Sequence, residues 1–216
     1  MDNLSEYYSK RAKEYEQIYH RDDPTRLNEQ KKIEEAIKEA FQNCEVLEIA
    51  CGTGYWTVFL SEVARGVTAI DNSDEVLTIA RSKQYKKAVN FQKADAYQLP
   101  FGNISFDGGM ANFWFSHVPK EKIQAFLDEF HRVLKNDSIV FMADNVYDEG
   151  IGGKLVQKEG DTNTYKIRTL EDGQEYEILK NYYTEAQIRD IFGRHDILDL
   201  FIGKCFWFVR YKVNKK

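Results

Sequence analysis

Between residues 45 and 144, short apolar runs alternate with stretches of helical period, and different patterns flank this region on both sides. The chain ahead of it reads as helical. Asp23 before Pro24 signals a helix start, with the acid as N-cap and the proline in the first turn. Leu27, Ile33, Ile37 and Phe41 then fall at helical spacing, and Lys31, Lys32, Glu34 and Glu35 form the outward face. Residues 45–50 predict a strand, 55–64 a helix, and 66–70 a strand ending at Asp71. A helix over 73–87 turns Val76, Leu77, Ile79 and Ala80 inward, and 89–93 is a short strand. Residues 107–113 predict a weak strand. In 120–134, Ile123, Phe126, Leu127, Phe130, Val133 and Leu134 lie on one helical stripe, and 138–144 is another strand. Such alternation predicts a doubly wound, mostly parallel α/β sheet with helices on both faces.

The pattern changes after Asn145. Residues 165–170 and 175–183 predict two strands around Asp172-Gly173, a hairpin signal. This β-hairpin insertion, 150–183, suits a lid, a substrate platform or a dimer contact. Its Lys166, Arg168, Glu175 and Glu177 read as the solvated side of the strands. Thr184 to Gln187 is a capping box that opens a helix. Residues 197–202 and 206–213 are joined only by a short connection through Gly203-Lys204, which favours antiparallel pairing at a sheet edge.

Composition narrows the class. The 216 residues suit a single domain, 1–216; 43% are hydrophobic and 30% charged, as in ordinary globular proteins. A net charge of -5 argues against a dedicated nucleic-acid-binding surface. No apolar run approaches membrane-span length, and the polar opening does not read as a signal peptide. Cys44, Cys51 and Cys205 lack metal-like spacing, so neither a disulfide framework nor a metal site is expected, and a cytoplasmic location is.

The candidate chemistry begins at VLEIACGTGYW, Val46 to Trp56. A strand runs into the small residues Ala50, Cys51, Gly52, Thr53 and Gly54, and then a helix starts. Ligands bind beyond the carboxyl ends of strands in open parallel sheets, and small residues there allow close approach to the backbone. A dinucleotide site wants a third glycine, but Thr57 or Tyr55 stands there. Glu48 would repel a pyrophosphate and would suit a cofactor with a cationic amino group. Asp71, about twenty residues on, can accept hydrogen bonds from ribose hydroxyls. Asp95 can accept the exocyclic amine of adenine, with Ala96 and Tyr97 along the ring.

Glu48-x-Ala50-Cys51-Gly52-Thr53-Gly54, Asp71, Asp95-Ala96 with Leu99-Pro100-Phe101, Ser105-Phe106-Asp107, and Arg132-Val133-Leu134-Lys135 follow in one order and spacing. Over about residues 40 to 145 the chain resembles the class I S-adenosylmethionine-dependent methyltransferases of the small methyltransferase-domain type. The resemblance implies a seven-stranded Rossmann-like sheet whose last strand pair contains the antiparallel strand. It also implies S-adenosylmethionine as cofactor and S-adenosylhomocysteine as product. Glu48 and the glycine turn would hold the methionine part, Asp71 and Asn72 the ribose, and Asp95, Ala96 and Tyr97 the adenine. Asn112 and Phe113 would line the far side of the methionine. Residues 1–42 would cap the cofactor. In that cap Tyr8, Arg11, Tyr15 and Tyr19 share a helical face, with Arg11 and Tyr15 toward the cofactor and Tyr19 as a candidate catalytic group.

Two departures from the family pattern stand out. Asn136-Asp137 replaces the usual Pro-Gly turn, and both residues tolerate left-handed geometry. Ala50 replaces a frequent glycine, so its φ is expected to be negative. Phe113, Trp114 and Phe115 suggest either an aromatic substrate wall or core, and His117 is either the candidate general base or a residue packed against the next helix; His20, His131 and His195 read as surface or packing residues. The function read here is methyl transfer from the sulfonium to a nucleophile on a small molecule, by in-line displacement, in a monomer or homodimer. The alternatives are a non-catalytic S-adenosylmethionine-binding regulator and an NAD-type oxidoreductase.

Overall fold

The carboxyl ends of four parallel strands converge on one rim of a central sheet, and the sequence dictates most of what brings them there. The computed structural model describes residues 7–8, 10–11, 15–149, 153–170 and 173–215, without the side chains of 15 and 18. A 3-10 turn, Tyr15–Tyr19, precedes helix α1, Pro24–Ala40, whose N-cap Asp23 accepts from Thr25 and Arg26 amides. Then come β1 (Glu45–Ile49), α2 (Tyr55–Val63), β2 (Gly66–Asp71), α3 (Asp74–Ser82), β3 (Val89–Lys93) and β4 (Phe106–Asn112). They are followed by α4 (Ile123–Val133), β5 (Leu134–Asn145), β6 (Leu155–Gln157), β7 (Thr164–Thr169) and β8 (Glu175–Leu179). The chain closes with α5 (Glu185–Phe192), β9 (Asp196–Ile202) and β10 (Phe206–Lys212). Thr184 and Gln187 form the expected capping box at the start of α5.

The main sheet has seven strands in the order β3-β2-β1-β4-β5-β10-β9. β10 runs against the other six strands and pairs antiparallel with both β5 and β9. Reversal of the order between β1 and β4 makes the topological switch point at which α/β sheets open a crevice. Successive strand residues point to opposite faces, so each strand feeds two cores. Leu47, Ile49, Val140 and Met142 pack with Phe126, Phe130, Ile188 and Phe192 of α4 and α5. Val46, Ala69, Met110 and Phe141 pack with Ile33, Ile37, Trp56 and Leu60 of α1 and α2.

Several expectations are revised. The strand over 107–113 reads as weak because of Gly108 and Gly109, yet it is the buried centre of the sheet. A Cβ on Gly109 would lie 2.6 Å from Phe130, so the missing side chains are what let the flanking helices close. Leu27 is exposed, whereas Glu29 is buried. The reason is tertiary: the Glu29 carboxylate accepts the amides of Lys204, Cys205 and Phe206 in the β9–β10 connection. Asp137 does take left-handed geometry, with φ 60°, but within an unbroken β5. The insertion is a three-stranded antiparallel sheet, because β6 adds to the β7–β8 hairpin. Residues 171 and 172 of that hairpin lie outside the described residues. Lys166 is almost fully buried and Arg168 half-buried, while Glu175 and Glu177 are exposed, so the cations do not belong to a solvated face.

Candidate active site

Beyond β1, the backbone turns through left-handed conformations at Ala50 (φ 53°), Gly52 (φ 56°) and Gly54 (φ 79°). The negative φ expected at Ala50 is therefore wrong. Cys51 N–H still donates to the Ile70 carbonyl at 2.9 Å, so the chain must swing away while tethered to β2. That swing falls on residue 50, and alanine is the smallest chiral side chain that can occupy it. Gly54 lies so close to its neighbours that an added Cβ would collide with the Tyr85 hydroxyl and come within 3.2 Å of Ala80 in α3.

A cavity of about 320 Å³ opens at this rim. On one side it is lined by Ala50, Gly52, Asp71, Asn72, Asp95, Ala96 and Tyr97, and on the other by Phe113, Trp114, His117, Lys122 and Tyr8. Asp71 is not the cap of α3; Ser73 is. Asp71 instead bridges two backbones, accepting from Gly52 N at 2.9 Å and Ser73 N at 3.0 Å. Burial raises its carboxyl pKa against the pull of those amides. Asp95 is more open, and its Oδ1 accepts from Tyr97 N at 2.8 Å.

Glu48 is buried beneath the turn and is not among the cavity-lining residues. Burial pushes its carboxyl up to about 8, the Thr57 hydroxyl bond at 2.7 Å opposes this, and nearby Asp71 adds to it. Cys51 is also buried, and burial drives its thiol well up, so it stays protonated. Thr53 Oγ1 donates to Glu16 Oε1 at 2.5 Å, and Glu16 also pairs with Lys83, which ties the 3-10 turn to the glycine loop.

Asn112 ends β4 with only 7% of its surface exposed, and neither its amide nitrogen nor its oxygen has a hydrogen-bond partner. A buried amide without partners costs about 1–3 kcal/mol, and Asn112 lies directly ahead of the cavity wall without being one of its lining residues. Phe113 follows with φ 57°, a strained value for an aromatic residue, and lines the cavity. Phe115 is fully core and Trp114 lines the cavity, so the aromatic run divides between packing and wall.

His117 is buried, with Nδ1 2.7 Å from the Leu179 carbonyl and Nε2 2.7 Å from the Tyr8 hydroxyl. A carbonyl can only accept, so Nδ1 carries the proton and Nε2 accepts from Tyr8. Burial, reinforced by Lys180, lowers its pKa to about 3. Tyr19 is not among the cavity-lining residues; it stacks on Tyr55 at 3.9 Å and its hydroxyl accepts from Trp56. Arg11 packs on Tyr7 and donates to its hydroxyl, and the Tyr15 side chain lies outside the described residues. His131 and His195 are buried packing residues, with His131 Nε2 2.8 Å from the Tyr211 hydroxyl.

A methyltransferase-domain family model matches residues 46–137. An uncharacterized protein of Methanocaldococcus jannaschii, MJ1252, is 35% identical over 196 residues, covering 87% of this chain and 73% of that protein. The chain belongs to the class I S-adenosylmethionine-dependent methyltransferases. An O-methyltransferase of Pyrenophora dematioidea is 30% identical over 172 residues, and the match spans 73% of this chain but only 63% of that protein. The solved complex of DhpI with SAH, at 23% identity, shares the methyltransferase fold with a TM-score of 0.80 over 100% of this chain and 97% of that one.

The methyltransferase cavity also takes in Ile70, Ser73, Val76, Ala94 and Lys122, which sequence reasoning missed. Ile70 and Ala94 immediately precede the two acids, so the rule that ligands sit at strand carboxyl ends could have found them. Val76 and Lys122 arrive from neighbouring helical segments and carry no local signal.

Proposed function

We propose that this methyltransferase acts on a small-molecule acceptor that enters beside Tyr8, Trp114 and His117. The observation that carries the reading is Asn112, an unpartnered buried amide at the switch point directly ahead of cavity-lining Phe113, with two carboxylates, Asp71 and Asp95, lining the cavity. This set fits a cofactor with an adenosine, a cationic amino-acid tail and no phosphate. Asp71 and Asn72 would hold the ribose, and Asp95, Ala96 and Tyr97 the adenine. Asn112, Phe113, Glu48 and the Ala50–Gly54 turn would surround the methionine part. The 3-10 turn, latched through Glu16 to Thr53, supports a capping role for the N-terminal segment.

When bound, the cofactor supplies an electrophilic methyl group on a sulfonium. The protein must then align a nucleophile and exclude water. Phe113 and Trp114 supply a dry wall. His117, with so low a pKa, is a poor base, and its neutral ring holds the Tyr8 hydroxyl toward the cavity. Tyr8 and His117 are therefore assigned to positioning the acceptor. One relative's name, O-methyltransferase, supports an oxygen nucleophile.

Titration calorimetry with S-adenosylhomocysteine tests the reading. Asp71→Ala should weaken binding at least about tenfold, the loss of a charge-assisted hydrogen-bond pair, while the thermal transition persists. Unchanged affinity in that variant would overturn the assignment.

A further inference from the structure

The insertion's inner face is cationic although the chain as a whole carries a net charge of -5. On β7, Lys166 and Arg168 stand opposite Ile178 and Tyr176 of β8, so all four share a face. Lys180, two residues past Ile178, is buried, as are Lys166, Tyr176 and Ile178. Across from them, Tyr7 packs on Tyr176, and Arg11 packs on Tyr7. Four cations, Arg11, Lys166, Arg168 and Lys180, thus gather beside the His117 wall of the cavity, and their charges act on one another. Among the described residues, the acids that act on them are Asp144, which Lys180 engages at 2.9 Å, and Asp148, which acts on Lys166. Glu175 and Glu177 point the other way. Lys166 donates to the Gly153 carbonyl. Among the described residues, the side chain of half-buried Arg168 has no hydrogen bond or ion pair.

A half-buried guanidinium with no partner among the described residues is unfavourable, and it offers a fork of donors shaped for an oxyanion. We propose that this face is an oxyanion subsite, with Arg168 as the forked donor and Lys180 beside it, that receives a carboxylate or phosphate carried by the methyl acceptor. The inference rests on the methyl-transfer reading for the identity of the ligand as acceptor. Its position fits that role, because Leu179, next to Lys180, holds His117, and His117 holds Tyr8 at the cavity wall.

The test titrates inorganic phosphate, and separately acetate, into the full chain saturated with S-adenosylhomocysteine, at constant ionic strength. At least one anion should bind with a Kd below about 10 mM. Arg168→Gln should weaken that binding about tenfold or more, whereas Lys31→Gln, which removes the same charge from an exposed site, should leave it unchanged. Phosphate binding alone assigns a phosphorylated acceptor, and acetate binding alone a carboxylate. Thermal melts confirm folding; if Arg168→Gln does not fold, Arg168→Lys keeps the charge and should still weaken binding several-fold. Absence of saturation by both anions, or equal effects of Arg168→Gln and Lys31→Gln, overturns the subsite. Failure of wild-type protein to bind S-adenosylhomocysteine sinks the methyl-transfer reading instead, so the two failures are distinguishable.

Discussion

With φ 53°, Ala50 holds a conformation that costs an L-residue about 1–2 kcal/mol. Glycine would remove that cost but adds about 0.5–1 kcal/mol of unfolded-chain entropy. Ala50→Gly should therefore hold or raise stability by about 0.5 kcal/mol, and Ala50→Val should lower it by about 2 kcal/mol, in urea unfolding. Glu48 gives a pH signature. Its pKa is raised on folding, so the stability it contributes is complete below its unfolded value of 4.5 and is lost as pH rises through about 8. Urea midpoints measured from pH 5 to 9 should fall with pH in the wild type and fall less in Glu48→Gln. An equal slope in both would show that Glu48 is ionised in the folded chain. His117 acts on the other limb: its pKa is lowered, so its contribution is present above 6.5 and lost as pH falls toward about 3.

Among the elements, the insertion is joined to the main sheet by a buried polar knot. Lys180 Nζ donates to Asp144 Oδ1 at 2.9 Å and to Ser116 Oγ at 2.6 Å, and Asp144 Oδ2 accepts from Ser116 N. Asn181 extends it, donating to the Val118 carbonyl and to Asn163. Both charges are essentially inaccessible to water, so removing one strands the other. Lys180→Met and Asp144→Asn should each cost about 3–5 kcal/mol, and the Lys180→Met/Asp144→Leu pair should recover much of it. Additive losses in the double-mutant cycle would mean that the two side chains do not interact. No local sequence pattern signals this joint, because its partners lie 18 to 64 residues apart in sequence.

On the scale of the molecule, the glycine turn, the loops that carry Asp71 and Asp95, the aromatic run after β4 and Tyr8 of the N-terminal segment all border one cavity, so a ligand there should stabilise the fold as a unit. S-Adenosylhomocysteine at 100 times its Kd should add about 2.7 kcal/mol, a rise in Tm of roughly 5–10 °C for a chain of this size. NADH at the same concentration should leave Tm unchanged, since the turn lacks the third glycine that a pyrophosphate site wants. A matching shift with NADH would count against the cofactor assignment.

The sequence by itself determined the order of elements, the strand ends that carry Asp71 and Asp95, and the helix starts at Asp23 and Thr184. These depend on periodicity, capping and turn chemistry within a few residues. The glycine turn was legible for the same reason. Only the tertiary structure decided the rest. Ala50 turns left-handed because Cys51 is tied to Ile70 on another strand. Glu29 is buried because a distant turn offers it three amides. Lys166 and Arg168 face inward because β7 pairs in a register that turns its two acidic neighbours on β8 outward. Alternation along a strand fixes which residues share a face, but which face meets the protein depends on what packs against it.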